Sequence, residues 1–93
     1  MKVSFTTEFI LSINEQVDYI ARDKPIAARK FKNDLLKKLK KDLVNPFHFK
    51  KSIHFSYENI RDYVFKGYVS VYEVDVDLQK VSVFAFIKYR NSL

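Results

Sequence analysis

The chain has no cysteine, a single glycine and two prolines. Without cysteine there are no disulfides, no thiolate zinc sites and no Cys nucleophiles, and a chain in a reducing cytosol can do without them, so a cytoplasmic home is expected. Met1 to Glu8 contain no apolar run that would serve as a signal peptide. No later segment approaches the roughly 18 to 20 uninterrupted apolar residues of a membrane span, so no membrane partner is expected. There is also no Gly-rich phosphate loop and no cluster of histidines with carboxylates. Nothing therefore supports a metalloenzyme, a nucleotide-binding enzyme or a nucleophile-based hydrolase, and neither a metal nor a cofactor is expected.

What is present is enough for one domain spanning residues 1–93. Hydrophobic residues make up 47% of the chain, with nine Phe and six Tyr, which gives apolar material for a core and no case for disorder. The formal charge of +6, from 17 Lys and Arg against 11 Asp and Glu, would attract RNA, DNA or an acidic protein, or would simply solubilise the surface.

Lys2 to Thr6 alternate with the period of a half-buried strand, Val3 and Phe5 facing inward. Thr6 or Thr7 caps a helix running to about Arg22, whose Phe9 or Ile10, Ile13, Val17 and Ile20 recur at steps of three and four. Asp23-Lys24-Pro25 starts a second helix, which runs to about Leu43. It carries Ala28, Phe31, Leu35, Leu39 and Leu43 on one stripe, with Lys30, Lys32, Lys37, Lys38, Lys40 and Lys41 largely off it. So short a connection implies an antiparallel helical hairpin. Asn45-Pro46 ends the second helix, and Phe47 to Phe55 reads as a loop entering a strand.

From Ile60 a β-meander is expected: residues 60 to 65, a Lys66-Gly67 turn, residues 68 to 76, a polar turn at 77 to 80, and residues 81 to 89. In the last strand, alternation puts Val81, Val83, Ala85 and Ile87 on one face. Phe84 and Phe86 then fall on the other, joined across the strands by Tyr72 or Tyr68. Two apolar faces mean either a second surface for a homodimer or heterocomplex, or a minor core closed by sheet curvature. The fold class expected is α+β: a short N-terminal strand and an antiparallel helical hairpin packed on a small antiparallel sheet that ends in a three-strand meander.

This order of elements resembles the RelE/ParE superfamily of toxins from bacterial type II toxin–antitoxin pairs. The resemblance is most specific in the segment Asn59-Ile60-Arg61-Asp62-Tyr63-Val64-Phe65-Lys66-Gly67-Tyr68, in Val71-Tyr72-Glu73-Val74-Asp75 and in the closing Val83 to Asn91. It implies a toxin neutralised by a cognate antitoxin protein. The target is then either the ribosome, where mRNA is cut without a metal, or DNA gyrase, which is poisoned. The alternative, from another class, is a non-catalytic binding module of the same fold that pairs with an acidic protein or nucleic acid.

Cutting RNA through the ribose 2′-OH needs a group to take its proton, a group to protonate the leaving oxygen, and cations for the charged phosphorane. In RelE-like members these tasks fall to Lys, Arg and Tyr. The resemblance implies Arg61, Arg90 and Tyr89 as catalytic candidates here, with Lys50, Lys51, Lys66 and Lys88 on the nucleic acid. Arg61 and Arg90 would form a phosphate clamp if their strands were neighbours; otherwise each pairs with a carboxylate such as Glu58, Asp62 or Glu73. Tyr89 either donates a proton or packs in the core. His48 and His54 are further acid–base candidates, or surface and packing residues. Many members carry an arginine after the hairpin tyrosine; here that residue is Val69, which counts against a nuclease.

Overall fold

The computed structural model describes residues 1–88. In chain order it contains β1 (Lys2–Phe5), α1 (Thr7–Ala21), α2 (Pro25–Asp42), a 3-10 turn at Pro46–His48, β2 (Ile60–Phe65), β3 (Tyr68–Asp75) and β4 (Lys80–Lys88). The Phe9 N–H donates to Thr6 Oγ1 at 3.1 Å, satisfying one of the open donors at the start of α1, and Glu8 lies in the positive first turn. Pro25 opens α2, where its missing N–H costs nothing, while Lys40 and Lys41 occupy the last turn, where the helix dipole favours cations. The whole expected stripe of α2, Ala28, Phe31, Leu35, Leu39 and Leu43, is buried. Lys32 Nζ donates to Asn14 Oδ1 at 2.6 Å, linking the middle of α2 to the middle of α1 as an antiparallel hairpin requires.

The sheet order is β1-β4-β3-β2. The meander is antiparallel as expected, whereas β1 lies parallel to β4, with Lys2 opposite Lys80 and Phe5 opposite Val83. The helical hairpin carries the chain from β1 to the opposite edge of the sheet at β2, and the antiparallel meander then returns to set β4 parallel beside β1, so the sheet is mixed. Phe9, Ile13, Leu35 and Leu39 meet Tyr72, Val74, Val81 and Val83 between helices and sheet, all at 0 or 1% exposure. Burying a side chain of this kind is worth about 1.5–3 kcal/mol, so this layer is the main source of stability.

The facing expected for β4 is corrected by a β-bulge. Val71 pairs with Ala85 but Tyr72 pairs with Val83, which leaves Phe84 as an extra residue in β4. One inserted residue inverts the alternation beyond it. Val81 and Val83 therefore face the helices together with Phe86, while Ala85 and Ile87 turn to the far face with Phe84. Phe86 is joined to Tyr68, as expected, but on the helix side: the rings stack at 5.1 Å and 11°, and Phe31 lies 5.1 Å from Tyr68. Phe84 and Phe86 thus share no docking face. The far face holds a smaller cluster of Ile60, Val69 and Val71, flanked by Phe84, Ala85 and Ile87, with Phe55 edge-on to Phe84 at 5.3 Å.

Candidate functional site

β2 is an edge strand whose even-numbered residues turn their backbone groups outward. The Ser52 N–H donates to the Ile60 carbonyl at 2.9 Å and the Asp62 N–H to the Lys50 carbonyl at 3.1 Å, so residues 50–52 cover the first half of the edge. Lys51 makes an isolated antiparallel bridge with Arg61. Alongside the uncovered half lies a groove of about 530 Å³, lined by Phe49, Ile53, Val64 and Val69 with His48, Lys50, Lys51 and Asp62. It is apolar with cations on its exposed side, and Val69 is 2% exposed within it. Pairing with a further strand is the usual hazard at such an edge, and the short 50–52 segment limits it.

The segment between α2 and β2 is held by three side chains from the helix-facing side of the sheet. Tyr63 donates its hydroxyl to Asp42 Oδ2 at 2.5 Å, and Tyr72 donates to the Pro46 carbonyl at 2.5 Å. Arg61 donates through Nη1 to the Phe49 carbonyl at 2.5 Å and the Phe47 carbonyl at 3.4 Å, with its guanidinium carbon 4.9 Å from the centre of the Phe47 ring. Burial pushes the Tyr63 hydroxyl well above the usual tyrosine range, and the hydrogen bond and charge of Asp42 add to that. Burial does the same to Tyr72, with Asp62 raising it further and Arg61 pulling it back.

Arg61 is therefore engaged with backbone carbonyls and with none of the carboxylates considered from the sequence. Asp62 points to the opposite face, as the neighbour in a strand must, and its Oδ2 accepts from the Ile53 N–H at 3.2 Å. Glu58 pairs at 3.4 Å with Lys51, between side chains exposed enough for the pair to be worth little. The condition for a clamp with Arg90 also fails, because β3 lies between β2 and β4. Arg90 itself and Tyr89 lie outside the described residues.

The four lysines separate into two groups. Lys50 and Lys51 line the groove at the start of β2. Lys66 follows the strand's other end, about 16 Å further along at the usual rise per residue, and Lys88 lies opposite Tyr68 at that same end. Lys66 shares a second hollow, of about 390 Å³, with Asp34, Lys37, Lys38, Lys41 and Phe65. His48 is exposed, edge-on to Phe49 at 5.9 Å, and His54 is exposed as well. Sequence reasoning missed the tethering roles of Tyr63, Tyr72 and Asp42. Their only signal was the spacing of tyrosines on one face of two adjacent strands.

The site is thus a cation-flanked apolar groove on a small mixed α+β fold, at the edge of a sheet whose one arginine in the described meander donates through Nη1 to backbone carbonyls and keeps a buried Nε without a partner. A sequence profile for the ParE toxin of the type II toxin–antitoxin system parDE matches residues 3–92. The chain belongs to that family. No curated protein sequence matches it. Among solved structures it is similar to the chromosomal ParDE toxin–antitoxin system from P. aeruginosa, with a TM-score of 0.77 over 97% of each chain at 12% identity, a likeness that shows the fold alone.

Proposed function

We propose that this ParE-family chain inhibits growth by poisoning DNA gyrase, that it does not cut mRNA, and that a cognate antitoxin neutralises it. The observation that carries this reading is the state of Arg61, whose guanidinium tethers the Phe47 and Phe49 carbonyls instead of facing the groove. A charged phosphorane needs free cationic donors. The nearest groove position on β3 that could supply one is the buried Val69. The apolar lining beside Lys50 and Lys51 suits a protein surface better than a scissile phosphate, because interface cores are apolar and desolvated.

The test is to express the chain in a bacterial host and follow growth. The purified protein is then added to gyrase with supercoiled plasmid, and separately to translating ribosomes. Growth arrest, trapped cleaved DNA–gyrase complexes and intact messages are expected. Messages cut in the ribosomal A site, with gyrase unaffected, would overturn the reading in favour of the nuclease. A chain harmless in several hosts would instead support the non-catalytic binding module.

A further inference from the structure

We propose that the C-terminal half of α2 and the β2–β3 hairpin together form a binding surface for the phosphate backbone of duplex DNA. The inference does not rest on gyrase as the target, because it concerns binding to bare DNA.

Helix α2 carries seven cations against two carboxylates, which concentrates on one element nearly all of the chain's excess charge of +6. Lys37 and Lys38 lie four and three residues before Lys41, so each stands beside Lys41 on the helix surface. Lys66 faces them from the hairpin and completes the hollow of about 390 Å³. Its backbone is held at φ 50° next to Gly67 at φ 81°, so the fourth lysine is presented by a tight turn of fixed shape.

The neighbouring carboxylates do not compensate these charges. Asp34, which also lines the hollow, is paired with Lys30 at 3.1 Å, and Asp42 accepts from Tyr63. Among the described residues none of the four lysines forms an ion pair. The partial negative charge of the helix C-terminus, about half a unit, is small against four lysines.

The composition of the hollow selects among polyanions. Protein interface cores are depleted in lysine and built on apolar anchors, and among the described residues none of the exposed large apolar side chains lines this hollow; the two most exposed, Ile53 and Ile26, lie in the groove and on the first turn of α2. Single-stranded nucleic acid is held by bases stacking on open rings. Among the described residues the one ring lining this hollow, Phe65, is half-buried, 6.1 Å from Phe31 and with the Lys66 ammonium 5.4 Å from its centre. Point charges on a stiff helix, with no open ring and no exposed apolar anchor among the described residues of the hollow, suit the backbone of a duplex.

Fluorescence anisotropy with a short random-sequence DNA duplex tests this. Four phosphate contacts predict a log–log salt slope of roughly −3.6, hence a loss of about 100-fold in affinity between about 50 and 200 mM salt. Replacing Lys37, Lys38, Lys41 and Lys66 together by Gln should weaken binding at least tenfold and flatten the slope by about three. A charge-matched variant with Gln at the exposed Lys2, Lys24, Arg29 and Lys80 should keep most of the affinity. Circular dichroism checks folding, and Lys38→Glu alone, at an exposed site, serves if the fourfold variant fails to fold. Equal losses in both fourfold variants would reduce the effect to bulk charge and overturn the proposal. So would tighter binding to polyglutamate, to a single strand or to duplex RNA of equal length.

Discussion

Arg61 has the Phe47 and Phe49 carbonyls on one nitrogen and its guanidinium carbon over the Phe47 ring, so its first effect is on the conformation of the chain between α2 and β2. Bonds from a charged donor contribute about 1.5–3 kcal/mol each at most, and a planar fork beside a ring is not reproduced by an ammonium. Arg61→Ala should therefore lower stability by about 2 kcal/mol in urea unfolding, and Arg61→Lys should lower it as well. Wild-type stability in both variants would mean that the tether is idle. A loss of toxicity in Arg61→Ala bears on the target only once this stability loss is corrected for. Val69 illustrates the same point from the other side: its place in a strand was legible, but its burial was not, because that depends on its packing with Ile60 and Val71 on the far face, beside the groove it lines with Phe49 and Ile53.

At the scale of elements, the hairpin and the bulge set which side chains meet. The Lys66-Gly67 pair has positive φ at both positions, the geometry of a tight hairpin that favours Asn-Gly. Lysine gains nothing from that conformation, so Lys66→Asn should raise stability by about 0.5 kcal/mol, seen as a higher thermal midpoint, while reducing DNA affinity. Gly67→Ala should do the opposite to stability. The space around Gly67 is open within 4 Å, yet a Cβ at φ 81° is strained by its own backbone. The bulge at Phe84 decides which aromatic reaches the helices. Without it Phe86 would lie with Phe84, and the stack with Tyr68 on the helix side could not form.

Across the whole molecule, two tyrosines join the sheet to the chain leaving α2, through Asp42 and the Pro46 carbonyl. Both hydroxyls are pushed above the usual tyrosine range, mainly by burial. A tyrosine in the unfolded chain ionises near about pH 10, before its folded counterpart. The stability these groups contribute is therefore complete below about pH 10 and falls as pH rises beyond it, since the unfolded state loses its protons first. Urea midpoints measured from about pH 8 to about pH 11 should show this alkaline decline. Tyr63→Phe or Tyr72→Phe should make it shallower, with a cost of about 1 kcal/mol at neutral pH for the lost hydrogen bond. An unchanged slope in both variants would assign the decline to other groups.

The sequence by itself determined the elements, because their signals are local. The Thr6 cap, Pro25, the apolar stripe of α2 and Lys66-Gly67 each act within a few residues, and their boundaries agree with the fold to within about a residue. The family, too, was legible in the order of those elements. Only the tertiary structure decided that β1 runs parallel beside β4, that Phe84 and Phe86 part company, and that β3 separates β2 from β4. It also decided that Arg61 reaches backbone carbonyls and that Lys66 joins the lysines of α2. These outcomes depend on strand register and on contacts between residues many positions apart. A register shifted by one residue exchanges the two faces of a strand while leaving every local propensity unchanged.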